Sequence, residues 1–460
     1  MNLVYGIKDK PKFHQLLIFA FQQVLAILAA TIAVPTIVGN GMSQSAALFG
    51  AGIGTLVYQL FTRFKSPVYL GSSFAFLGSM AAAFAGAASG AAGHAGLIVG
   101  AVFAGLVYVI IAIVIKCVGV KWIDKLMPPA VIGPTVAIIG LSLAGNAVGD
   151  LFTGKVQIDQ ISQVIENGQI VDKVTRVSAC SPYVALICGL ITLAAIIIFS
   201  VYGKQMMKLI PFVLGILVGY VAATIFTVIG ILTDNVALQI IDFTVFKNLQ
   251  IVALPDFTFL EALKGIKDID GAYIATLAVA YIPVAFVVFA EHIADHKNLS
   301  TVIGQNLLEE PGLHNTLLGD GVGSMAGAFF GGCPNTTYGE SVGCVAITRN
   351  ASVVTITTAA IMCIVISFFG PFVTFLASIP NCVMGGVCVA LYGFIAVSGL
   401  KMIQKVDLSQ SKNLFVVSVI LITGIGGLTV SFGKVTLTAI ACALILGILT
   451  NVLVSKAKAE

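Results

Sequence analysis

Twelve stretches of this chain are apolar for about twenty residues at a time, the length a helix needs to cross the hydrocarbon of a bilayer. They fall near 13–38, 44–63, 95–117, 128–149, 182–203, 208–233, 271–291, 313–331, 351–378, 380–400, 412–431 and 436–455. With 58% hydrophobic and 10% charged residues and a mean hydropathy of +1.05, no water-soluble core could absorb so much apolar surface, since soluble domains carry about 25% charged residues. The chain is predicted to be an all-α polytopic membrane protein, with the lipid bilayer as its surroundings. Its net charge of +4 is spread over short loops, which argues against a nucleic-acid partner and for topology signals. The nine cysteines lie mostly inside apolar runs, with no CxxC pair and no zinc spacing. They read as small packing residues, and no metal or cofactor is expected. The polar start runs into a long span without a cleavage site, so no signal peptide is expected.

Two further segments are compromised as spans. Residues 331–349 read GGCPNTTYGESVGCVAITR, where Gly and Pro break a helix and the carboxylate of Glu340 is costly in hydrocarbon. Broken backbone at membrane depth persists only where protein or a wet cavity covers it. The stretch is therefore predicted to be a short extended piece and half-helix lining a substrate site, with Glu340 facing that site. Pro67 to Met80, PVYLGSSFAFLGSM, is the other, interrupted by Gly71, Ser72 and Ser73. Counting 67–83 and 334–348 brings the total to about fourteen transmembrane segments, of which the third and tenth are broken and contain short extended pieces.

Lys8, Lys10 and Lys12 place the N-terminus in the cytoplasm by the positive-inside rule. If every segment crosses, Arg63 and Lys65, Lys116, Lys121 and Lys125, Lys204 and Lys208, Lys297, Arg349, Lys401 and Lys405 also fall inside. So do Lys456 and Lys458, which makes both termini of this multi-pass chain cytoplasmic. PPAVIG at 128–133 and PNCVMG at 380–385 both open a span, the fifth and the twelfth. The broken segments are likewise seven apart. Two halves of seven spans enter the membrane from opposite sides, an inverted 7+7 repeat whose substrate site forms where broken helices meet near the midplane.

A second carboxylate, Glu291, closes the apolar run AYIPVAFVVFAEHIADH. Alone it could be a helix-end acid in cytoplasmic water, but acids within membrane segments default to function. Glu340 is nine residues from Arg349, about two and a half helical turns, so the two do not pair directly. Asp320 and His292 read as bonds between spans, and Gly319, Gly321 and Gly323 as close helix packing. Half-helix ends offer backbone N–H donors, and the two acids offer acceptors, or one donor each when protonated. A flat ligand with alternating N–H and C=O groups fits that inventory, and a simple inorganic anion does not.

AEHIADH, EEPGLHNTLLGDGVGSMAGAFFGG, PNTTYGESVGCVAITR and YLGSSFAF resemble the uracil permease branch of the nucleobase–ascorbate transporter family. The likeness runs from about Gln22 to the last span. It implies a core domain made of residues 1–127 and 271–379 and a gate domain made of 128–270 and 380–460. It also implies a secondary active transporter of the cytoplasmic membrane, not an enzyme, importing a nucleobase with a proton and dimeric by family expectation. By the same resemblance Glu291 and Glu340 bond the base, Gly339 and Phe74 meet it through their main chains, Ala30 borders the pocket, and Tyr338 and Tyr392 wall it. Two positions depart from the pattern. Asp295 stands where a histidine is usual four residues after the first glutamate, and Ser341 replaces an asparagine. His296 is rotated away from Glu291, whereas Asp295 shares its face. The expected proton-coupling residues are thus Glu291, Asp295 and Glu340, with Glu291 the main carrier. The implied substrate is uracil. Xanthine or another purine is the alternative, and an anion transporter or channel of the same fold a more distant one.

Overall fold

The apolar runs become helices whose ends are set by the residues that flank them. α1 (Phe13–Val38) and α2 (Gln44–Phe61) are followed by a short strand β1 (Leu70–Ser72), a helical turn at Phe74–Phe76, α3 (Leu77–Ala85) and α4 (Gly90–Val118). α5 (Pro129–Ser142), α6 (Ala144–Asp150), strands β2 (Gln157–Glu166) and β3 (Gln169–Ser178), α7 (Pro182–Tyr202) and α8 (Pro211–Leu232) come next. The second half of the chain contains α9 (Thr258–Gly265), α10 (Gly271–Ile303), α11 (Leu313–Gly331), β4 (Asn335–Thr337), α12 (Gly339–Thr348), α13 (Val353–Ser367) and α14 (Gly370–Ser378). It closes with α15 (Asn381–Ile403), α16 (Ser411–Ile425), β5 (Val430–Phe432), β6 (Val435–Leu437) and α17 (Ala439–Val454). This computed structural model describes residues 3–119, 122, 126–166, 169–204, 207–247, 249–432 and 435–455. Lys121, Lys125, Lys456 and Lys458, used above to orient the loops, lie outside the described residues.

Ser43, Ser89, Asp270 and Thr438 cap the starts of α2, α4, α10 and α17 by accepting from a backbone N–H in the first turn, the role short polar side chains fill at helix ends. Pro129, Pro182 and Pro211 occupy first-turn positions, where a missing N–H costs nothing. Among the described residues, seven helical stretches are long and apolar enough to cross a membrane: α1, α4, 129–150, α7, α8, α10 and α15. The 74–85 stretch, α13, α16 and α17 are apolar but shorter.

Three expectations from the sequence change. The span predicted to end at Glu291 continues to Ile303, and Gly304 ends it in the left-handed region (φ 72°) by donating to the Ser300 carbonyl. Polar side chains at 292 and 296 do not stop it because each finds a buried partner. The run at 351–378 is two helices divided at Phe368–Phe369, and that at 128–149 divides at Leu143. Between the spans predicted at 128–149 and 182–203, β2 and β3 form a ten-pair antiparallel hairpin from Gln157↔Ser178 to Glu166↔Gln169.

By internal contacts the chain forms two compact units, one of residues 1–143, 252–369 and 392–460, the other of 144–251 and 370–391. These lines differ from the core and gate partition implied by the family resemblance. In the second unit the side-chain-free faces of α7, α8 and α15 meet. A Cβ on Gly386 would lie 2.4 Å from the Gly189 carbonyl oxygen, and one on Gly219 would strike the Thr192 side chain. Tyr220 and Ser378 share a hydrogen bond of 2.8 Å.

The first unit has a glycine seam between α2 and α11. A Cβ on Gly50 would stand 2.5 Å from the Gly327 carbonyl oxygen, and one on Gly323 2.7 Å from that of Gly54. Only glycine permits this approach, which lets van der Waals packing hold helices where lipid removes the hydrophobic incentive. The seam matters because α2 and α11 carry the two broken segments.

Candidate functional site

β1 and β4 pair antiparallel, Leu70 with Thr337, Gly71 with Thr336 and Ser72 with Asn335. Backbone bonds from Ser73 to the Pro334 carbonyl (2.9 Å) and from Tyr338 to the Tyr69 carbonyl (3.3 Å) extend the pair at its two ends. Three residues on each side thus satisfy groups that a broken helix leaves orphaned, which is what irregular backbone away from water requires. Side chains finish the task. Thr55 of α2 accepts from Leu70 N–H at 3.0 Å, and Asn335 Nδ2 donates to the Gly50 carbonyl at 3.0 Å. The Tyr338 hydroxyl donates to the Ser72 carbonyl at 2.7 Å, and its ring fills the place a Cβ on Gly71 would take.

Each strand then turns directly into a helix. β1 leads through Phe74–Phe76 into α3, and β4 leads through Tyr338 into α12, which begins at Gly339. The first-turn N–H groups of such helices have no partner within the helix and carry its positive end. Phe74 and Ala75 from one junction and Tyr338, Gly339 and Glu340 from the other line a single, partly open cavity, about 430 Å³ when the solvent space at its mouth is included. Thr336, Thr337 and Glu291 share its lining, and Val136, Ile139 and Ile395 form an apolar wall. No Lys or Arg is among the described residues lining it.

Glu291 lies within α10 rather than at its end, twelve residues short of Ile303, so it is not a carboxylate solvated at a helix terminus. It is half-buried, as is Glu340 in the first turn of α12, and it lies within electrostatic reach of Asp295, Glu340 and Asp320. Asp295 follows one turn later; its Oδ2 accepts from the Thr337 hydroxyl at 2.7 Å, and its Oδ1 would lie 3.8 Å from a Cβ on Gly339. The site therefore gathers two lining carboxylates, a third tied to the strand by Thr337, and the N-terminal end of a helix. Such a set can accept from N–H groups and donate to carbonyl oxygens of one planar ligand.

The remaining residues suggested by the sequence occupy different places. Tyr392 packs edge-on against Phe74, with ring centroids 5.7 Å apart, and is buried behind the cavity. Ala30 is buried in α1 and is not among the lining residues. Ser341, next to Glu340, accepts from Gln23 Nε2 of α1, tying the half-helix to the first span.

The opposite flank of α10 carries a buried polar set that sequence spacing could not pair. His292 Nδ1 and Asp320 Oδ2 are 2.6 Å apart, and His292 Nε2 lies 3.0 Å from the Thr316 hydroxyl. His296 Nε2 meets the Tyr58 hydroxyl at 2.7 Å, while its Nδ1 donates to the His292 carbonyl at 2.8 Å. These contacts join α10 to α11 and α2. The apolar wall residues Val136, Ile139 and Ile395 carry no signal in the sequence, since nothing distinguishes them from lipid-facing neighbours until the helices are packed.

The model of the Permease family, Xan_ur_permease, matches residues 14–433. The chain is 37% identical over 456 residues to the uracil permease of Bacillus caldolyticus, covering 98% of this chain and 94% of that one. It is 33% identical over 445 residues to the uracil permease of Escherichia coli (strain K12), covering 96% and 92%. Among solved structures, the transmembrane domain of a cyanobacterium bicarbonate transporter, BicA, matches with a TM-score of 0.61 at 16% identity, covering 97% of this chain and all of that one. The murine anion transporter Slc26a9 in its inward-facing state matches with a TM-score of 0.64 at 11% identity, covering 97% of this chain and 69% of that one. At such identities the two structures bear on the fold alone.

Proposed function

The chain belongs to the permease family, a multi-pass membrane transporter rather than an enzyme, and on that premise we propose that it imports uracil together with a proton across the cell membrane. The observation that carries this reading is the single cavity in which Glu291, Glu340 and the start of α12 converge. Uracil is a flat ring with alternating N–H and C=O groups, matched to two carboxyls and a row of backbone donors. Relatives named as uracil permeases along nearly the whole chain support the choice of base.

In this reading the chain has fourteen segments in an inverted 7+7 repeat, with both termini cytoplasmic. Residues 1–127 and 271–379 form a core domain that moves against a gate of 128–270 and 380–460, and transport proceeds by alternating access. Glu291, Glu340, Gly339, Phe74 and Tyr338 meet the base from the core side, Ala30 borders the pocket and Tyr392 walls it from the gate side; Glu291, Asp295 and Glu340 handle the proton. A homodimer is the proposed assembly. The fold shared with bicarbonate and anion transporters raises the rival of anion transport, but the carboxylates around this cavity, with no cation among the described lining residues, would repel an anion.

The test is uptake of radiolabelled uracil by vesicles reconstituted with the protein, under an imposed proton gradient, with xanthine, hypoxanthine, ascorbate and sulfate as competitors. Competition by unlabelled uracil alone supports the reading. Stronger competition by xanthine would turn it to a purine permease, and inhibition by sulfate would turn it to an anion carrier.

A further inference from the structure

The segment between α8 and α10 shows a feature that transport does not explain. α9 and the turn after it, Thr258 to Asp268, divide into three sectors at the helical spacing of about 100° per residue. Thr258, Ala262 and Gly265 are buried. Glu261, Lys264 and Asp268 form a second sector, with Lys264 Nζ 2.6 Å from Glu261 Oε1. Leu260, Leu263 and Ile266, 42%, 62% and 54% exposed, form the third, with the exposed Lys267 at its edge toward the charged sector, where a long stem can carry an ammonium out to the headgroups.

The buried sector is fastened firmly. Gly265 lies so close to the start of α4 that a Cβ there would come within 2.2 Å of the Ala91–Ala92 peptide. Ser89, the cap of α4, donates to Asp268 Oδ2 at 2.9 Å. Phe257 and Phe259 join a cluster of rings with Phe49, Phe330 and Phe368, and Phe259 stacks on Phe329 at 4.9 Å with the planes 4° apart. The exposed leucines are thus presented by a fixed helix, not by a segment free to fold inward.

What covers them follows from the neighbours. Phe329, 42% exposed, belongs to α11, and Ile274, 40% exposed, lies one turn into α10. α4 runs on from the docking point with an exposed stripe of Val102, Leu106, Ile110 and Ile113, the face that a membrane-spanning helix turns to acyl chains. The leucine sector continues that lipid-facing surface at the end where α4 and α10 begin, while the charged sector sits to one side of it. A short helix with one apolar and one charged face suits the boundary between acyl chains and headgroups.

We propose that α9 and its following turn are an interfacial anchor, lying in the plane of the membrane with Leu260, Leu263 and Ile266 inserted among the upper acyl chains of the leaflet at which α4 begins. The occupant is lipid, and the proposal depends only on the chain spanning a bilayer, not on its substrate.

The chain has a single tryptophan, Trp122, so a new one can report depth. In a Trp122→Phe background, Leu263→Trp and Lys264→Trp are reconstituted into phosphatidylcholine vesicles with or without lipids brominated near the top of the acyl chains. The Leu263→Trp protein is expected to lose roughly half its emission to brominated lipid, as suits a side chain about 5–10 Å into the boundary, and to resist aqueous iodide. Lys264→Trp is expected to show the reverse pattern. Quenching of Leu263→Trp by iodide but not by bromine overturns the proposal. So does lipid quenching that vanishes as the protein-to-lipid ratio rises, since a second copy of the chain would then be the occupant. Leu260→Trp, on the same sector, must agree with Leu263→Trp; disagreement also overturns it.

Discussion

Thr337, the last residue of β4, donates its hydroxyl hydrogen to Asp295 Oδ2 on α10 across 2.7 Å. One contact thereby joins the strand pair at the broken segments to the helix that carries Glu291. It places a third carboxylate beside the cavity, tethered by a neutral partner rather than by a cation.

Asp295→Asn keeps an acceptor for Thr337 but cannot change protonation state. In the proposed mechanism it slows uptake driven by a proton gradient and leaves uracil binding within a few-fold of the parent. Isothermal binding measured beside vesicle uptake checks this, and equal losses in both would place Asp295 in the binding step instead.

Glu291→Gln is expected to abolish gradient-driven uptake, because the neutral form becomes permanent and no proton can be released. The informative measurement is uracil-induced proton movement in vesicles. Normal proton movement in this variant would move the carrier role to Glu340 or Asp320.

Glu340→Gln replaces a carboxyl that accepts when ionised and can donate when protonated by an amide whose NH2 donor and carbonyl acceptor are fixed. Losing a hydrogen bond to a charged group costs about 1.5–3 kcal/mol, so uracil affinity should fall at least about tenfold. If xanthine competition strengthens in the variant, the site is that of a purine carrier.

Gly71→Ala tests the strand pair. The new Cβ would stand 2.5 Å from ring carbons of Tyr338, whose hydroxyl holds the Ser72 carbonyl. Overpacking of this kind costs about 1–3 kcal/mol, and the detergent-solubilised variant should melt several degrees lower and bind uracil weakly. Gly78, whose Cβ would meet nothing within 4 Å, supplies the control, since Gly78→Ala should leave both readouts unchanged.

His292→Leu leaves Asp320 buried without the hydrogen bond it makes at 2.6 Å. Leaving a buried polar group without its partner costs about 1–3 kcal/mol. Thermal unfolding should register that loss, and the double variant His292→Leu, Asp320→Leu should recover part of it. Strict additivity of the two single losses would mean that the pair does not interact.

Much of the architecture was open to reading in the chain itself, because each decision was local. An apolar run of about twenty residues has few fates besides a membrane helix, and Gly, Pro and an acid inside such a run forbid a continuous one. That reasoning applied to PNTTYGES and to LGSSF, and both are short strands leading into short helices. The spacing of Glu291 and Asp295 likewise needed nothing beyond helical geometry. Hydrophobicity misplaced the end of α10, since His292 and His296 look like a terminus until Asp320 and Tyr58 are seen to meet them. Burial of a polar group is decided by its partner, and the partners lie 28 and 238 residues away. The same holds for the apolar wall of Val136, Ile139 and Ile395, for the glycine seam of α2 and α11, and for the face α9 leaves uncovered. The local sequence determined that the long apolar runs are helical and that 67–80 and 331–349 are broken, though not the divisions at Leu143 and at Phe368–Phe369. Only tertiary packing decided which side chains share a cavity, because contact between distant segments depends on shape at the ångström scale, and no one-dimensional pattern records it.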